Sequence, residues 1–96
     1  MRTIWKYPLE VKDVQDVAMP HGAKVLAVQV QGGVPCLWAE VESDAPPLAR
    51  RIRIFSTGHD MPETDSLRHL GTFQLYSGAI VFHVYEDRSF FPEEAR

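Results

Sequence analysis

A short turn that follows two arginines carries residue types suited to binding an anion. Thr57-Gly58-His59 comes directly after a segment that contains Arg51 and Arg53. Gly58 permits close backbone approach and outward-pointing N–H groups, Thr57 offers a hydroxyl, and His59 and the arginines can face negative charge. Loops at strand ends commonly carry binding residues. The pattern predicts an anion site here; the alternative is an ordinary strand-ending turn with solvated arginines.

Trp38 is a second candidate contact for a ligand. A nucleobase could stack on its indole, with Gln29 or Gln31 hydrogen-bonded to the base edge. The alternatives are a second core layer or an interface between copies, where tryptophan is enriched. A pocket between protomers would satisfy both interpretations. The complete predicted ligand-binding set is Arg51, Arg53, Thr57, Gly58, His59, Trp38 and Gln29.

Metal binding and covalent catalysis find little support. The chain has four histidines and a single cysteine, and no pair has the spacing of a zinc finger or a zincin helix. Cys36 as a nucleophile would need a base such as His83, and nothing in the sequence brings the two together. No glycine-rich phosphate loop or GxSxG elbow occurs. We therefore predict a non-enzymatic protein with no catalytic residue, no metal and no cofactor.

Length, composition and charge narrow the class of protein. Ninety-six residues, 45% of them hydrophobic, suit one globular domain with a real core. The net charge of −3 disfavours nonspecific binding to nucleic acid or to anionic membranes. No long apolar run indicates a signal peptide or a membrane segment, and a single cysteine suits a reducing compartment. These features predict a cytoplasmic location.

A hairpin from Ala23 to Glu42 is the central predicted element. Its two apolar-rich runs flank Gly32-Gly33, and paired glycines favour a two-residue turn. Because strand side chains alternate, one face of this hairpin is wholly apolar and is predicted to lie on the core. The predicted cross-strand pairs on that face are Val30 with Pro35, Val28 with Leu37 and Leu26 with Ala39. Trp38 and Gln29 fall on the opposite face.

A second hairpin, from Leu70 to Glu86, repeats this design around Ser77-Gly78. Its predicted core pairs are Leu75 with Ile80 and Phe73 with Phe82, and its outer face places Thr72 opposite His83. Between the hairpins, residues 50–57 alternate so that Ile52 and Ile54 point inward. Before the first hairpin, Thr3–Tyr7 is a predicted strand and Asp13–Met19 a predicted shorter one, for which a helix over Leu9–Met19 is the alternative.

The predicted fold is all-β, a small antiparallel sandwich or barrel of about six to seven short strands with little or no helix. The predicted domain spans residues 1–86, followed by a tail at 87–96. Within that tail, Phe90-Phe91 is too apolar to remain in water, so we expect it to dock on this chain or on a partner.

Several motifs resemble a family of small proteins of unknown function that phages and prophages encode. They are WKYPLE, VPCLWAEV, STGH, GTFQL and VFHVYE, and they lie between Trp5 and Glu86. The resemblance implies an accessory protein working in the cytosol of a bacterial host. One hypothesis is that it sequesters a small anionic, nucleotide-type ligand such as a host defence signal. The other is a protein–protein interaction module, a host-factor inhibitor or virion-assembly accessory, with no small ligand.

Self-association is also expected from the sequence. The predicted outer faces carry more apolar area than a monomer usually exposes. Its members are Trp38, Leu70, Tyr76, Val81 and Tyr85. A two-fold dimer is the default closed arrangement.

Overall fold

A computed structural model describes residues 1–90 and shows an all-β chain with no helix among them. Its seven strands are β1 (Arg2–Pro8), β2 (Val14–Pro20), β3 (Lys24–Gln31), β4 (Val34–Glu42), β5 (Pro47–Ser56), β6 (Leu67–Leu75) and β7 (Ile80–Asp87). Every strand pairing is antiparallel. The predicted fold class and strand number are confirmed.

The strands form two sheets that pack on one another as a sandwich. The three-stranded sheet has the order β1-β4-β3, and the four-stranded sheet has the order β2-β5-β7-β6. Alternating side chains from both sheets meet in one hydrophobic core. The fully buried members with the largest side chains are Met19, Leu37, Ile52, Val41 and Val84. Each sheet therefore has an inner face on this core and an outer face away from it.

The central hairpin forms as β3 and β4, with one change of register. Gly32 and Gly33 have φ angles of 57° and 81°, as a type I′ turn requires. The pairs Val30–Pro35 and Val28–Leu37 are confirmed. The predicted Leu26–Ala39 pair is wrong, because a bulge between Val25 and Ala27 brings Val25 opposite Ala39 and leaves Leu26 45% exposed.

The second hairpin forms as β6 and β7, and both predicted pairs, Leu75–Ile80 and Phe73–Phe82, are present. Ile80 is 38% exposed, so its predicted place in the core is wrong. The Phe73 and Phe82 rings stack at 5.1 Å between centroids. Ser77 and Gly78 occupy the central positions of a turn that the Ala79 N–H closes on the Tyr76 carbonyl at 3.1 Å. A bulge between His69 and Gly71 turns Leu70 toward the core, so its predicted place on the outer face is wrong.

The sheets approach each other closely where β3 crosses β6. A Cβ atom built on Gly71 would lie 2.8 Å from the Val28 Cβ, closer than real Cβ atoms approach. Only a residue without a side chain fits here unless Val28 moves. The backbone of β6 at Gly71 therefore packs directly on the Val28 side chain of β3.

Candidate functional site

The β5 strand places the predicted arginines as its alternation requires. Ile52 and Ile54 are buried, at 0% and 4% exposure, on the inner face. Arg51, Arg53 and Phe55 therefore lie together on the outer face of the four-stranded sheet, each partly exposed. The predicted orientation of this strand is confirmed.

Both arginines already have acidic partners on that face. Arg51 makes two hydrogen bonds to Asp16 of β2, at 2.9 and 3.1 Å, and Arg53 lies 3.9 Å from Asp87 of β7. The bond from Arg51 lowers the pKa of Asp16, whereas the pKa of Asp87 is lowered chiefly by the Ser89 side chain. An incoming anion would therefore compete with two resident carboxylates.

One donor of the Arg53 guanidinium is both buried and without a partner in the part of the chain that the structure describes. Its Nε atom is buried and has no hydrogen-bond partner among the described residues. The guanidinium carbon lies 5.3 Å from the centroid of the Phe55 ring, a cation–π distance. A buried donor without a partner costs free energy, so a ligand acceptor that reached it would recover that cost.

The turn after β5 is closed by its own backbone. The His59 N–H donates to the Ser56 carbonyl at 3.1 Å, and the Thr57 N–H donates to the Val81 carbonyl at 3.0 Å. Gly58 has a φ of 89°, which explains the glycine at that position. The expectation that this turn offers its N–H groups to a ligand is therefore wrong for Thr57 and His59.

A chain of hydrogen bonds crosses this outer face from β6 to the turn. His69 Nε2 lies 3.3 Å from Thr72 Oγ1, which lies 3.2 Å from His83 Nδ1. His83 Nε2 lies 2.7 Å from Thr57 Oγ1, and Thr57 Oγ1 donates to the Val81 carbonyl at 3.3 Å.

One proton arrangement satisfies every bond of this chain. With the proton of each imidazole on Nε2, His69 donates to Thr72 and Thr72 donates to His83 Nδ1. His83 then donates to Thr57, whose hydroxyl proton points to the backbone carbonyl. The Thr57 hydroxyl is thus oriented by a network that runs from β6 through β7 to the turn after β5.

Two clefts adjoin the turn, and His59 lines both. One, of about 200 Å³, is polar, and its lining includes Arg53, Asp13 and Asp60. The other, of about 510 Å³, is mostly apolar, and its lining includes Thr57, Ala79, Ile80, Val81 and Phe82. Side by side they offer a charged half and an apolar half for one ligand.

Trp38 and Gln29 lie elsewhere. Their strands belong to the three-stranded sheet, and their neighbours Leu37 and Val28 point into the core. Trp38 and Gln29 therefore face outward on the opposite side of the sandwich from Arg53. The predicted residues form two groups, Arg51 to His59 on one face and Trp38 with Gln29 on the other. Within one chain they do not share a pocket.

Cys36 belongs to the Trp38 side and is 2% exposed. The Lys6 ammonium on β1 donates to the Gln31 side chain on β3 at 2.7 Å, and this bond spans β4, the strand that carries Cys36. His83 lies on the other sheet, so the two groups that a cysteine nucleophile would need are separated by the core. No cluster of three or more metal-ligating side chains occurs within residues 1–90.

Three further residues of this face, Asp16, Asp87 and His83, were not predicted as part of the site. The sequence did contain a signal for His83, because strand alternation and the predicted Thr72–His83 pairing place it on the outer face. Asp16 and Asp87 carried no comparable signal, because the pairing of β2 with β5, and of β5 with β7, joins distant parts of the chain.

The Phe90 ring lies 4.0 Å from the Arg51 guanidinium carbon, so the expected docking of Phe90 on this chain is observed. Phe91 lies outside the described residues.

These features define a small two-sheet β-sandwich with a mixed polar and aromatic outer face on its larger sheet. The chain belongs to the family described as Domain of unknown function (DUF7352), whose model matches residues 1–95. No curated protein and no solved structure matches the chain. In the part of the chain that the structure describes, no helix is long and apolar enough to cross a membrane.

Proposed function

We propose that this protein binds a small anionic ligand at the Ser56–His59 turn and does no chemistry on it. The observation that carries the proposal is the pair of clefts that meet at His59, one lined by Arg53 and the other by apolar side chains. An anionic group would take the buried, unpartnered Arg53 Nε donor. A ring system would occupy the apolar half, against Ile80 and Phe82.

A nucleotide-type ligand has this combination of an anionic group and a flat apolar ring. Thr57 lines the apolar cleft, and the orientation of its hydroxyl is already set by His83 at 2.7 Å. Preorganised polar groups bind at a lower entropic cost than mobile ones. Arg51 contributes charge from the same face, although its own hydrogen bonds go to Asp16.

The biological setting we propose is that of a phage or prophage accessory protein in the cytoplasm of a bacterial host. The motif resemblance supports this setting, and sequestering a host defence signal would need binding without turnover. Trp38 and Gln29 would join the ligand only if a second copy brought its three-stranded sheet to this cleft.

Calorimetry against a panel of linear and cyclic nucleotides tests the proposal. Arg53→Ala should weaken binding by about 1.5–3 kcal/mol, the usual range for a hydrogen bond to a charged group, with little change in melting temperature. Arg2→Ala is the matched control, because Arg2 makes a similar ion pair, at 3.6 Å to Glu40, on the other sheet. No heat from any nucleotide with well-folded protein would refute the proposal.

A protein–protein interaction module is the second candidate function. The observation that favours it is an aromatic cluster on the same outer face: Tyr85 contacts Phe55 at 5.8 Å and His69 at 5.1 Å between ring centroids. Aromatic side chains and ion-paired arginines are common at protein interfaces. Capture of a stoichiometric host protein that depends on Tyr85 or Trp38, with no nucleotide bound, would support this candidate over the first.

A further inference from the structure

The sandwich has four edge strands, and three of them carry features that discourage pairing with another chain. Bulges interrupt β3 and β6. The β1 edge carries Arg2, Lys6 and Pro8. Bulges, basic side chains and proline are the usual protections of a sheet edge.

The β2 edge has fewer of these protections. From Val14 to Pro20 it has no bulge and no basic residue, and its single proline, Pro20, is the last residue of the strand. Its one charged residue, Asp16, is held in two hydrogen bonds by Arg51 of the same sheet. Arg51 therefore offsets this charge in part, and Asp16 repels another strand less than an unpaired carboxylate would.

The hydrogen-bond pattern shows which backbone groups face this open edge. The Ile54 N–H donates to the Asp13 carbonyl at one end of the ladder, and the His21 N–H donates to the Pro46 carbonyl at the other. The two bonds join residues that are directly opposite each other in the β2–β5 register. Because hydrogen-bonded pairs recur at every second residue, the odd-numbered residues of β2 bond to β5.

The even-numbered residues point their N–H and carbonyl groups away from the sheet. Val14, Asp16 and Ala18 are the residues concerned, and all three are exposed. We propose that β2 pairs with β2 of a second copy, antiparallel, about a two-fold axis at Val17. The two four-stranded sheets then become one continuous sheet of eight strands.

This register is the one that the side chains favour. A two-fold axis at Val17 places Ala18 of one copy opposite Asp16 of the other, and these residues exchange backbone hydrogen bonds in both directions. An axis at Asp16 would put two like charges opposite each other. An axis at Ala18 would place Gly22 opposite Val14, beyond the end of the strand at Pro20.

A pair of charge variants tests both the dimer and its register. Sedimentation analysis of the full chain should show a dimer that dissociates on dilution. Ala18→Asp places like charges opposite each other twice in the dimer and should weaken association about tenfold. Ala18→Lys instead meets Asp16 of the second copy and should retain or tighten it.

Two proline variants then locate the interface. Ala18→Pro removes an N–H that points out from β2, so the bonds to β5 remain intact. Ile4→Pro is the matched control on β1, where the Leu9–Pro35 and Ser43–Met1 bonds place the even-numbered residues at the open edge. Ala18→Pro should be monomeric, and Ile4→Pro should remain a dimer. Thermal melts at low concentration confirm that each variant is folded.

A wild-type chain that stays monomeric up to about 100 µM would overturn the proposal, since edge pairing should be detectable well below that concentration. Equal behaviour of Ala18→Asp and Ala18→Lys, or loss of the dimer in Ile4→Pro alone, would also overturn it. None of these results bears on nucleotide binding, so the ligand proposal stands or falls separately.

Discussion

The two outer faces of the sandwich differ in how their polar groups are used. On the three-stranded sheet, a single Lys6–Gln31 bond crosses the middle strand, and Trp38 stands beside it without an aromatic partner among the described residues. On the four-stranded sheet, ion pairs, a histidine–threonine chain and aromatic contacts join all four strands.

This difference arises because the two hairpins pair with different additional strands. The two hairpins share one alternating design, but β4 gains β1 as a neighbour whereas β7 gains β5. The added β5 brings Arg51 and Arg53, and β2 beyond it brings Asp16. Each outer face therefore combines residues of one hairpin with residues of strands that are distant in sequence. The polar groups on the face depend on which strands these are.

The largest expected effect is a loss of stability when a charge is introduced on the inner face, into the core that both sheets share. Val28→Asp would bury an unpaired charge on the inner face of β3 and should cost several kcal/mol, out of the roughly 5–15 kcal/mol typical of a domain. Gln29→Asp, one residue along on the outer face, should cost far less. Thermal melts compare the two variants, and equal losses would contradict the inner and outer assignment.

A smaller effect is expected where the sheets meet at β3 and β6. Gly71→Ala should destabilise the fold by about 1–3 kcal/mol, the usual cost of overpacking, because its Cβ would lie 2.8 Å from the Val28 Cβ. Val28→Ala keeps the Val28 Cβ but removes its Cγ2, which would lie 2.9 Å from the new Cβ, so it should relieve only the Cγ2 part of that cost in the double variant. Denaturant titration of the four-member cycle measures the coupling; strictly additive losses would argue against this contact.

The smallest expected effect is a pH dependence of stability that comes from the Asp16–Arg51 ion pair on the outer face of the four-stranded sheet. The folded pKa of Asp16 is lowered from its ordinary 3.8 by the Arg51 hydrogen bond. The ion pair therefore contributes stability at pH values above about 4, and this contribution is lost as the pH falls through the lower folded pKa. Because the Asp16 side chain is 40% exposed, solvent screening limits the effect to below about 1 kcal/mol.

Asp16→Asn is the control for this titration. It should be less stable than wild type at neutral pH and should approach wild type as the pH falls through the lowered pKa of Asp16, because the wild-type carboxyl is then protonated. Urea melts at several pH values give the comparison. A difference that is independent of pH would assign the role of Asp16 to packing.

The parts of the fold that were predictable from sequence depend on short-range patterns. Alternation in β5 correctly placed Ile52 and Ile54 inward, and the glycine turn fixed two of the three predicted pairs of the first hairpin. The bulge at Leu26 was not predictable, because an extra residue in a strand is defined only by the partner it fails to match.

The candidate site was predictable only in part for the same reason. Arg51, Arg53 and Thr57 share a face because they are near in sequence. Trp38 was assigned to that site from its chemistry alone, and its assignment to a different sheet depends on pairings between distant strands. The His83 contact with Thr57 follows from the β5–β7 pairing, which no local pattern specifies.

The strand order has a consequence for how this chain reaches its native state. Of the paired strands, only β3–β4 and β6–β7 are consecutive strands joined by a tight turn, whereas β1 and β2 pair with strands that are made much later in the chain. Closing long loops costs entropy before native contacts compensate for it. We expect the two hairpins to form early and the outer strands to join late. The open edge of β2 therefore belongs to one of the last strands to pair. Until β5 is made and pairs with it, β2 can form hydrogen bonds with the wrong partner.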